Sequence, residues 1–369
     1  MSREYKVAVL GAGNSGMSLA GMLSLSGIDV SLVELPDYAQ NLMPIRERGG
    51  IFVGGEYGTG VATPTLITTD VAEGIKGREV LMFCHPAYAH ERFTRLCAPH
   101  LEADQLLVYI SNFAALRMSR LLSEVSPSAD VTLAETVSFQ YGASKTGPNE
   151  VVVKRRKVGL PFATLPKKKL EESAVILEKI GMDLSPAKNC LETSINNCNP
   201  WGHVPGVILN AGWIEATKGD FSFYLEGRTQ AVIHLIDAMD GDKMRVASAL
   251  GLECVSNMDL GRRLHREVLE ETGGSMYPEK YYRSPSLTPK SLDHRFLVED
   301  MLYGVVPVAS IGHELGIDVR CLDAVIVIGS VIGQRDFASE GLGTSSLGLE
   351  GLSAKRMSKL AEEGFLGKV

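Results

Sequence analysis

Ten residues near the start constrain this chain more than any others: Val7-Ala8-Val9-Leu10-Gly11-Ala12-Gly13-Asn14-Ser15-Gly16. An apolar, β-branched run leads into three glycines at G-x-G-x-x-G spacing. A helix-like segment follows and stops near Gly27. A second apolar run, Ile28 to Val33, then ends on Glu34, 18 residues after Gly16. The order is strand, tight turn, helix, strand, acid. Gly11 permits the sharp turn, Gly13 lets backbone approach a pyrophosphate, and Gly16 lets helix and strand pack closely. The helix N-terminus, Ala12 to Gly16 with Asn14 and Ser15, offers N–H groups and a partial positive charge to that anion. Glu34 stands where an acid accepts hydrogen bonds from an adenosine ribose and repels a 2′-phosphate. A dinucleotide is expected here, NAD(H) preferred, with NADP(H) second. The plain structural alternative is a βα turn in a ligand-free domain of the same fold.

At 369 residues the chain can hold two domains with sizeable cores. Its formal net charge of -7 argues against a nucleic-acid partner. The basic clusters Lys154-Arg155-Arg156-Lys157 and Lys167-Lys168-Lys169 read as solvated strand and helix ends, with a cofactor or anion role the lesser alternative. Met1 to Arg3 leads straight into the first strand, so no signal peptide is expected. The apolar run Ala324 to Gly333 is too short for a bilayer, and no membrane partner is expected. Six cysteines are scattered without C-x-x-C, which fits free thiols in a reducing cytoplasm. No metal site is expected.

Strand-like and helix-like segments alternate through the first half. Ile51–Val53, Leu66–Thr68, Glu79–Cys84, Gln105–Ile110, Val131–Ser138 and Glu150–Val158 read as strands. Tyr38–Arg48, a stretch after His85-Pro86 to about Ala98, and Lys167–Ile180 read as helices. This predicts a mainly parallel, doubly wound sheet. Loops after strand C-termini then make Pro86 and the Glu135-Thr136 region candidate cofactor contacts, with ordinary turn roles the alternative. Beyond Leu191 the period becomes helical over Trp201–Ala216, Thr229–Leu250, Asn257–Thr272, Val305–Leu315 and Leu322–Ile332. Asp242 and Arg245, and Arg262 with Arg263, sit on expected polar faces. Gly273 to Pro289 reads as an irregular loop. The fold class is α/β: an N-terminal doubly wound Rossmann domain, 1–188, then an all-helical C-terminal domain, 189–369. The catalytic cleft is expected between them.

A Rossmann domain only holds a cofactor; the reaction needs groups from elsewhere. Of five histidines in the second half, His203 stands out. It lies in Asn197-Cys198-Asn199-Pro200-Trp201-Gly202-His203-Val204-Pro205, a helix start with Asn199 as N-cap and Pro200 at the first helical position. The other segment is His294-Arg295-Phe296-Leu297-Val298-Glu299-Asp300, followed by Tyr303-Gly304-Val305-Val306-Pro307. Asp300 there either caps a helix or hydrogen-bonds one nitrogen of His203, fixing its tautomer. The plain alternative for His203 is a buried helix-start residue.

These segments carry a resemblance. The chain resembles the NAD/octopine/nopaline-type opine dehydrogenases over nearly its whole length. The matching features are Gly11 to Gly16 with Glu34, Glu135-Thr136, Asn197-x-Asn199-x-x-x-His203, and Arg295-x-x-x-Glu299-Asp300 with Tyr303 to Pro307. The terminal Glu340-Gly341 and Leu347-Gly348-Leu349 complete the set. The resemblance implies a catalytic dyad of His203 and Asp300. It also implies condensation of a 2-oxo acid with the amino group of an amino acid, then reduction of the imine by NAD(P)H. Two departures stand out. Val204 separates His203 from Pro205, where the family commonly has His-Pro. Leu342-Gly343-Thr344 stands where the family often has an arginine and a threonine, so that arginine's substrate contact does not carry over and the amine is left open.

The expected function is thus an NAD(H)-dependent opine-forming oxidoreductase on a 2-oxo acid such as pyruvate and an amino acid. Arg295 is the nearest cation for a substrate carboxylate, or else makes a salt bridge. Asn199 is grouped with the substrate-binding candidates. Tyr224, in Phe221-Ser222-Phe223-Tyr224-Leu225-Glu226-Gly227, lines the amino-acid pocket or packs in the core. One alternative is a 2- or 3-hydroxyacid dehydrogenase of the Rossmann-plus-helical group. Many of those use a lysine on the first long helix of the second domain, and Asn199 to Ala216 has none. The other is a non-catalytic NAD(H) sensor. The oligomeric state is not legible; a homodimer is carried as an expectation.

Overall fold

The computed structural model describes residues 5–275, 277–283 and 287–366. It divides into two compact units, Met1–Cys190 with Ala361–Val369, and Leu191–Leu360.

Among its described residues the first unit holds twelve strands: β1 Lys6–Leu10, β2 Asp29–Val33, β3 Ile51–Gly55, β4 Gly60–Ala62, β5 Leu66–Thr68, β6 Val80–Phe83, β7 Leu106–Ile110, β8 Thr132–Thr136, β9 Tyr141–Gly147, β10 Glu150–Arg156, β11 Leu160–Leu165 and β12 Leu184–Pro186. Eight form the main sheet, in the order β12-β11-β8-β7-β6-β1-β2-β5. The six from β5 to β8 are parallel; β11 runs antiparallel to β8. Central strands of a parallel sheet are covered on both faces, which is why β6 is apolar throughout and β1 is apolar after its first residue, Lys6. Val7 to Leu10 and Val80 to Phe83 are all buried.

The remaining four strands form a second sheet, β4-β3-β10-β9. The mainly parallel, doubly wound sheet is present as expected, while the expected strands at Ile51 and Glu150 lie in this second sheet instead. The run Glu150 to Arg156 buries Val151 and Val153, while Lys154 to Arg156 are only half-buried. One buried face marks a strand lying on a neighbour, not one covered on both sides. The neighbour is the helix Asn14–Leu25: a Cβ on Gly21 would sit 2.6 Å from Val53. That helix is buried from Gly16 to Gly21, so it is apolar on most sides.

Glu362 and Gly364 return to this unit, although the domain expected over 189–369 includes them. Glu362 pairs with Lys167 at 3.0 Å, and Gly364 lies against Leu165 and Ser119. The expected helix Tyr38–Arg48 is a 3-10 turn, Pro36–Asn41, then a short helix, Met43–Glu47.

The second unit is helical. Its elements include Cys198–Leu209, Ala211–Thr217, Gln230–Ala249, Asn257–Leu264, Arg266–Glu271, Val306–Glu314 and Arg320–Gly333. The expected single helix over Trp201–Ala216 breaks at Asn210. The Asn210 side chain donates to the Gly206 and Gly227 carbonyls at 2.8 Å each, securing the joint. Asp242, expected on a polar face, is buried: its carboxylate accepts the Cys321 and Leu322 N–H groups and caps Arg320–Gly333. Within the expected loop Gly273 to Pro289 lies the short helix Glu279–Tyr282; positions 276 and 284–286 fall outside the described residues. Among the described residues no helix is long and apolar enough to cross a membrane.

Candidate active site

The dinucleotide turn is built from the first unit. Gly11 has φ +104°, a backbone conformation that strains any other residue. Gly16 is required by closeness: a Cβ there would lie 1.7 Å from the Gly11 carbonyl oxygen. Gly13 is the opposite case, since a Cβ there meets nothing within 4 Å. Gly13 is also the N-cap of Asn14–Leu25, and no side chain caps that helix. Helix N–H groups facing open space form a cradle that fits an anion such as a pyrophosphate. Ala12 is buried, while Gly13 and Asn14 are exposed.

Glu34 follows β2 and is buried. One carboxylate oxygen accepts the Ala12 N–H at 2.9 Å and the Asn41 side-chain amide at 3.3 Å; the other accepts the Leu35 N–H at 2.9 Å. It therefore straps the glycine turn to β2 as well as standing where an adenosine ribose is expected. Pro86 opens a 3-10 turn, and its carbonyl oxygen lies 3.2 Å from His85 Nδ1. The close contact to the turn belongs to His85, whose Cβ is 3.2 Å from the position of a Gly11 Cβ. Burial pushes the His85 imidazole down to about 4, so it is neutral near pH 7. Thr136 ends β8 fully buried, with its hydroxyl donating to the Ser138 carbonyl at 3.0 Å. Glu135 beside it accepts the Ala115 N–H at 3.0 Å, at the start of the helix Ala114–Val125. Sequence reasoning missed Ser111, Asn112 and Phe113 after β7, three consecutive residues with positive φ. No glycine signals that turn.

The second constellation lies within the helical unit. His203 is on Cys198–Leu209. That helix begins two residues earlier than expected: Asn197, not Asn199, is the N-cap, its side chain accepting the Asn199 N–H at 3.1 Å. Either asparagine can close such a turn, and the upstream one reaches the second helical N–H. Asn199 is half-buried beside Cys198. Asp300 lies in a continuous helical run that starts at Val298, passes through one π turn, Met301–Val305, and continues to Glu314. It does not cap that run. A Cβ on Gly304 would lie 2.2 Å from Pro200, so the two segments approach as closely as they do because residue 304 is glycine.

That approach brings His203 Nδ1 to 2.7 Å from Asp300 Oδ2, although 97 positions separate them. Both side chains are over nine-tenths buried. Nε2 of His203 lies 2.8 Å from the Tyr224 hydroxyl. The Phe296 ring stacks on the imidazole at 3.7 Å and 11°, and Phe223 stands edge-on. Tyr224 in turn stacks with Tyr277 and meets Tyr282 edge-on. Burial pushes Asp300 up to about 7, against the opposing charge of Arg295. Burial, then the Arg295 and His203 charges, push His294 down to about 4. Arg295 is exposed, with its guanidinium 5.3 Å from the Phe296 ring centre. The structure thus brings His203, Asp300 and Tyr224 into one cluster. Asp300 fixes one imidazole nitrogen, and the other can exchange a proton with a group at the position of the Tyr224 hydroxyl. Among the described residues there is no cluster suited to a metal ion.

Residues 186–332 match the family model of the NAD/NADP octopine/nopaline dehydrogenase alpha-helical domain. The chain is 30% identical over 362 residues to an opine dehydrogenase of Arthrobacter sp. (strain 1C), covering 96% of this chain and 97% of that one. Among solved structures, an octopine dehydrogenase with NADH and pyruvate superposes with a TM-score of 0.69 at 19% identity, over 93% of this chain and 95% of that one. A yersinopine dehydrogenase with NADP+ bound gives 0.66 at 16%, over 98% and 99%. By its identity across almost the full length of the Arthrobacter enzyme, this chain belongs to the opine dehydrogenase family.

Proposed function

We propose that this protein condenses the amino group of an amino acid with a 2-oxo acid such as pyruvate and reduces the resulting imine to an N-(carboxyalkyl) amino acid. NAD(H) is the favoured cofactor, with NADP(H) as a second. The observation that carries the reading is the buried hydrogen bond between His203 and Asp300. A hydroxyacid enzyme of the lysine type needs a lysine on this helix, which has none between Asn199 and Ala216, and a sensor needs no such pair.

NADH, when bound, supplies the hydride that reduces the imine carbon. The rest falls to the protein. The Asp300 carboxylate accepts a hydrogen bond from Nδ1–H of His203, which leaves Nε2 to work. Protonated Nε2 gives a proton to the hydroxyl that departs as water when the imine forms, and in the reverse direction takes one back. The Tyr224 hydroxyl marks where a polar substrate atom sits against Nε2. Phe296 and Phe223 exclude water around the imidazole. Arg295 is the proposed cation for a substrate carboxylate, and Asn199 a further substrate contact. Ala12 to Gly16 and Glu34 hold the dinucleotide, with Pro86 and Thr136 at its rim. The amine partner is one whose carboxylate does not need the arginine that Leu342-Gly343-Thr344 replaces. We further propose that the chain works as a homodimer in the cytoplasm, which fits its six free thiols.

NADH oxidation with pyruvate and a panel of amino acids tests the reading. The proposal requires both substrates and a product bearing a new C–N bond by mass spectrometry. Oxidation with the oxo acid alone supports a hydroxyacid dehydrogenase, and none with any amine supports a sensor. Light scattering on the full chain tests the dimer.

A further inference from the structure

The adenosine end of the dinucleotide site carries a cation that the glycine motif does not announce. In the second sheet, β9 and β10 pair with Val151 opposite Lys145 and Val153 opposite Ala143. Directly opposed residues of an antiparallel pair project from the same face. Val151 and Val153 are buried in the core beneath that face, and Tyr141 and Ala143 pack against the same core. Lys145 is therefore the last member of an inward row formed by Tyr141, Ala143 and Lys145. Lys145 itself is exposed, at the end of the apolar part of that row. The Asn14 side-chain amide donates to the Ala143 carbonyl at 3.1 Å, tying β9 to the first residue of the pyrophosphate-binding helix. Burial lowers the Lys145 proton affinity, and the Glu34 carboxylate opposes that shift. Other cations near this edge have work already. Arg92 pairs with Asp37, Arg46 donates to the Ile67 carbonyl, and Arg48 donates to the Asn149 side chain.

Glu34 alone predicts strict discrimination, because a fixed carboxylate repels a 2′-phosphate. A cation beside it changes that outcome. We propose that Lys145 is a specificity-determining residue for the adenosine 2′ position, where its ammonium binds the phosphate of NADP(H) and offsets the repulsion from Glu34, so that this chain binds both dinucleotides. The proposal rests on the dinucleotide reading of the glycine turn. It places part of the cofactor specificity on the second sheet, which lies outside the strand–turn–helix–strand motif.

Fluorescence titration of NADH and NADPH, without substrates, tests it on the full chain. Lys145→Ala should weaken NADPH about 10-fold or more, with a far smaller change for NADH; this is about the weight of one charge-assisted phosphate contact. Lys145→Glu should lose more NADPH affinity, and Lys145→Arg should keep most of it, which separates charge from folding. The NADPH contrast should shrink at high salt. Equal losses for both cofactors, an unchanged NADPH affinity in Lys145→Ala, or no NADPH binding by the unaltered chain would each overturn the proposal. Failure to bind either dinucleotide would remove the cofactor reading itself, and Lys145's role with it.

Discussion

Glu34 and Asp300 are both buried carboxylates, 6% and 4% exposed, yet the chain treats them differently. Glu34 follows the second strand of a contiguous motif, and two backbone N–H groups plus an amide hold its oxygens. Asp300 comes from a helix far along the chain, and its contact with His203 is charge-assisted on the imidazole side whenever that ring is protonated. The first arrangement uses donors that cannot ionise and suits a fixed binding surface. The second couples the carboxylate to a titrating ring and suits proton transfer. Burial alone does not set a carboxylate's role; the nature of its donor does.

The contrast can be broken by substitution. The largest effect is expected on the Asp300 side. Asp300→Asn should keep the fold and lower turnover by about 100-fold or more, because the imidazole loses its orienting acceptor. Combined with His203→Ala it should add little, since the two act as one unit. Near-additive losses in steady-state kcat would separate them.

Next is Gly16→Ala. With the Gly11 carbonyl oxygen 1.7 Å from the new Cβ, backbone must move. A destabilisation of about 1–3 kcal/mol and a loss of NADH binding are expected. Gly13→Ala, into open space, should cost less stability. Melting curves of the two variants compare them directly.

Glu34→Ala should weaken NADH about 10-fold and narrow the preference over NADPH, because charged hydrogen bonds to a ribose diol are lost. It should also lower the melting temperature, since Ala12, Leu35 and Asn41 lose an acceptor. Higher catalytic efficiency with NADPH than with NADH in the unaltered enzyme would contradict the assignment.

The smallest effect concerns pH. Asp300 sits near 7 in the fold against 3.8 in the unfolded chain. The folded state therefore binds more protons between those values. The stability contributed by this group is present in full below about 3.8 and declines as pH rises through about 7. Asp300→Asn should flatten that decline. Melting temperatures of both proteins from pH 4 to 8 measure it, and parallel curves would show that Asp300 does not titrate in this window.

The two regions also differ in how far they could be read from sequence. The glycine turn and Glu34 were legible because strand, turn, helix and acid follow one another, and each constraint acts within about 30 residues. His203 and Asp300 stand out as candidates in their own segments, but only the resemblance pairs them; nothing in spacing brings together residues 97 positions apart. The Gly304–Pro200 contact that lets their segments approach had no visible signal. The second sheet is not legible because β10 announces itself by its apolar residues, while Lys154 to Arg156, which leave one side open, look like an ordinary solvated strand end. The break at Asn210 was missed because helix period persists across it, while the tie to the Gly227 carbonyl is tertiary. In the left-handed run Ser111 to Phe113 only Asn112 is a residue that tolerates that backbone readily, and one asparagine does not signal three such residues in a row.

The central claim is that the dinucleotide is held by the glycine turn and Glu34 while proton transfer belongs to His203. The direct test measures turnover, NADH affinity and melting temperature on one preparation of His203→Ala. The account predicts turnover reduced about 100-fold or more, with NADH affinity and folding close to those of the unaltered enzyme. Near-normal turnover in the folded variant, or a loss of NADH affinity that accounts for the whole deficit, would contradict it.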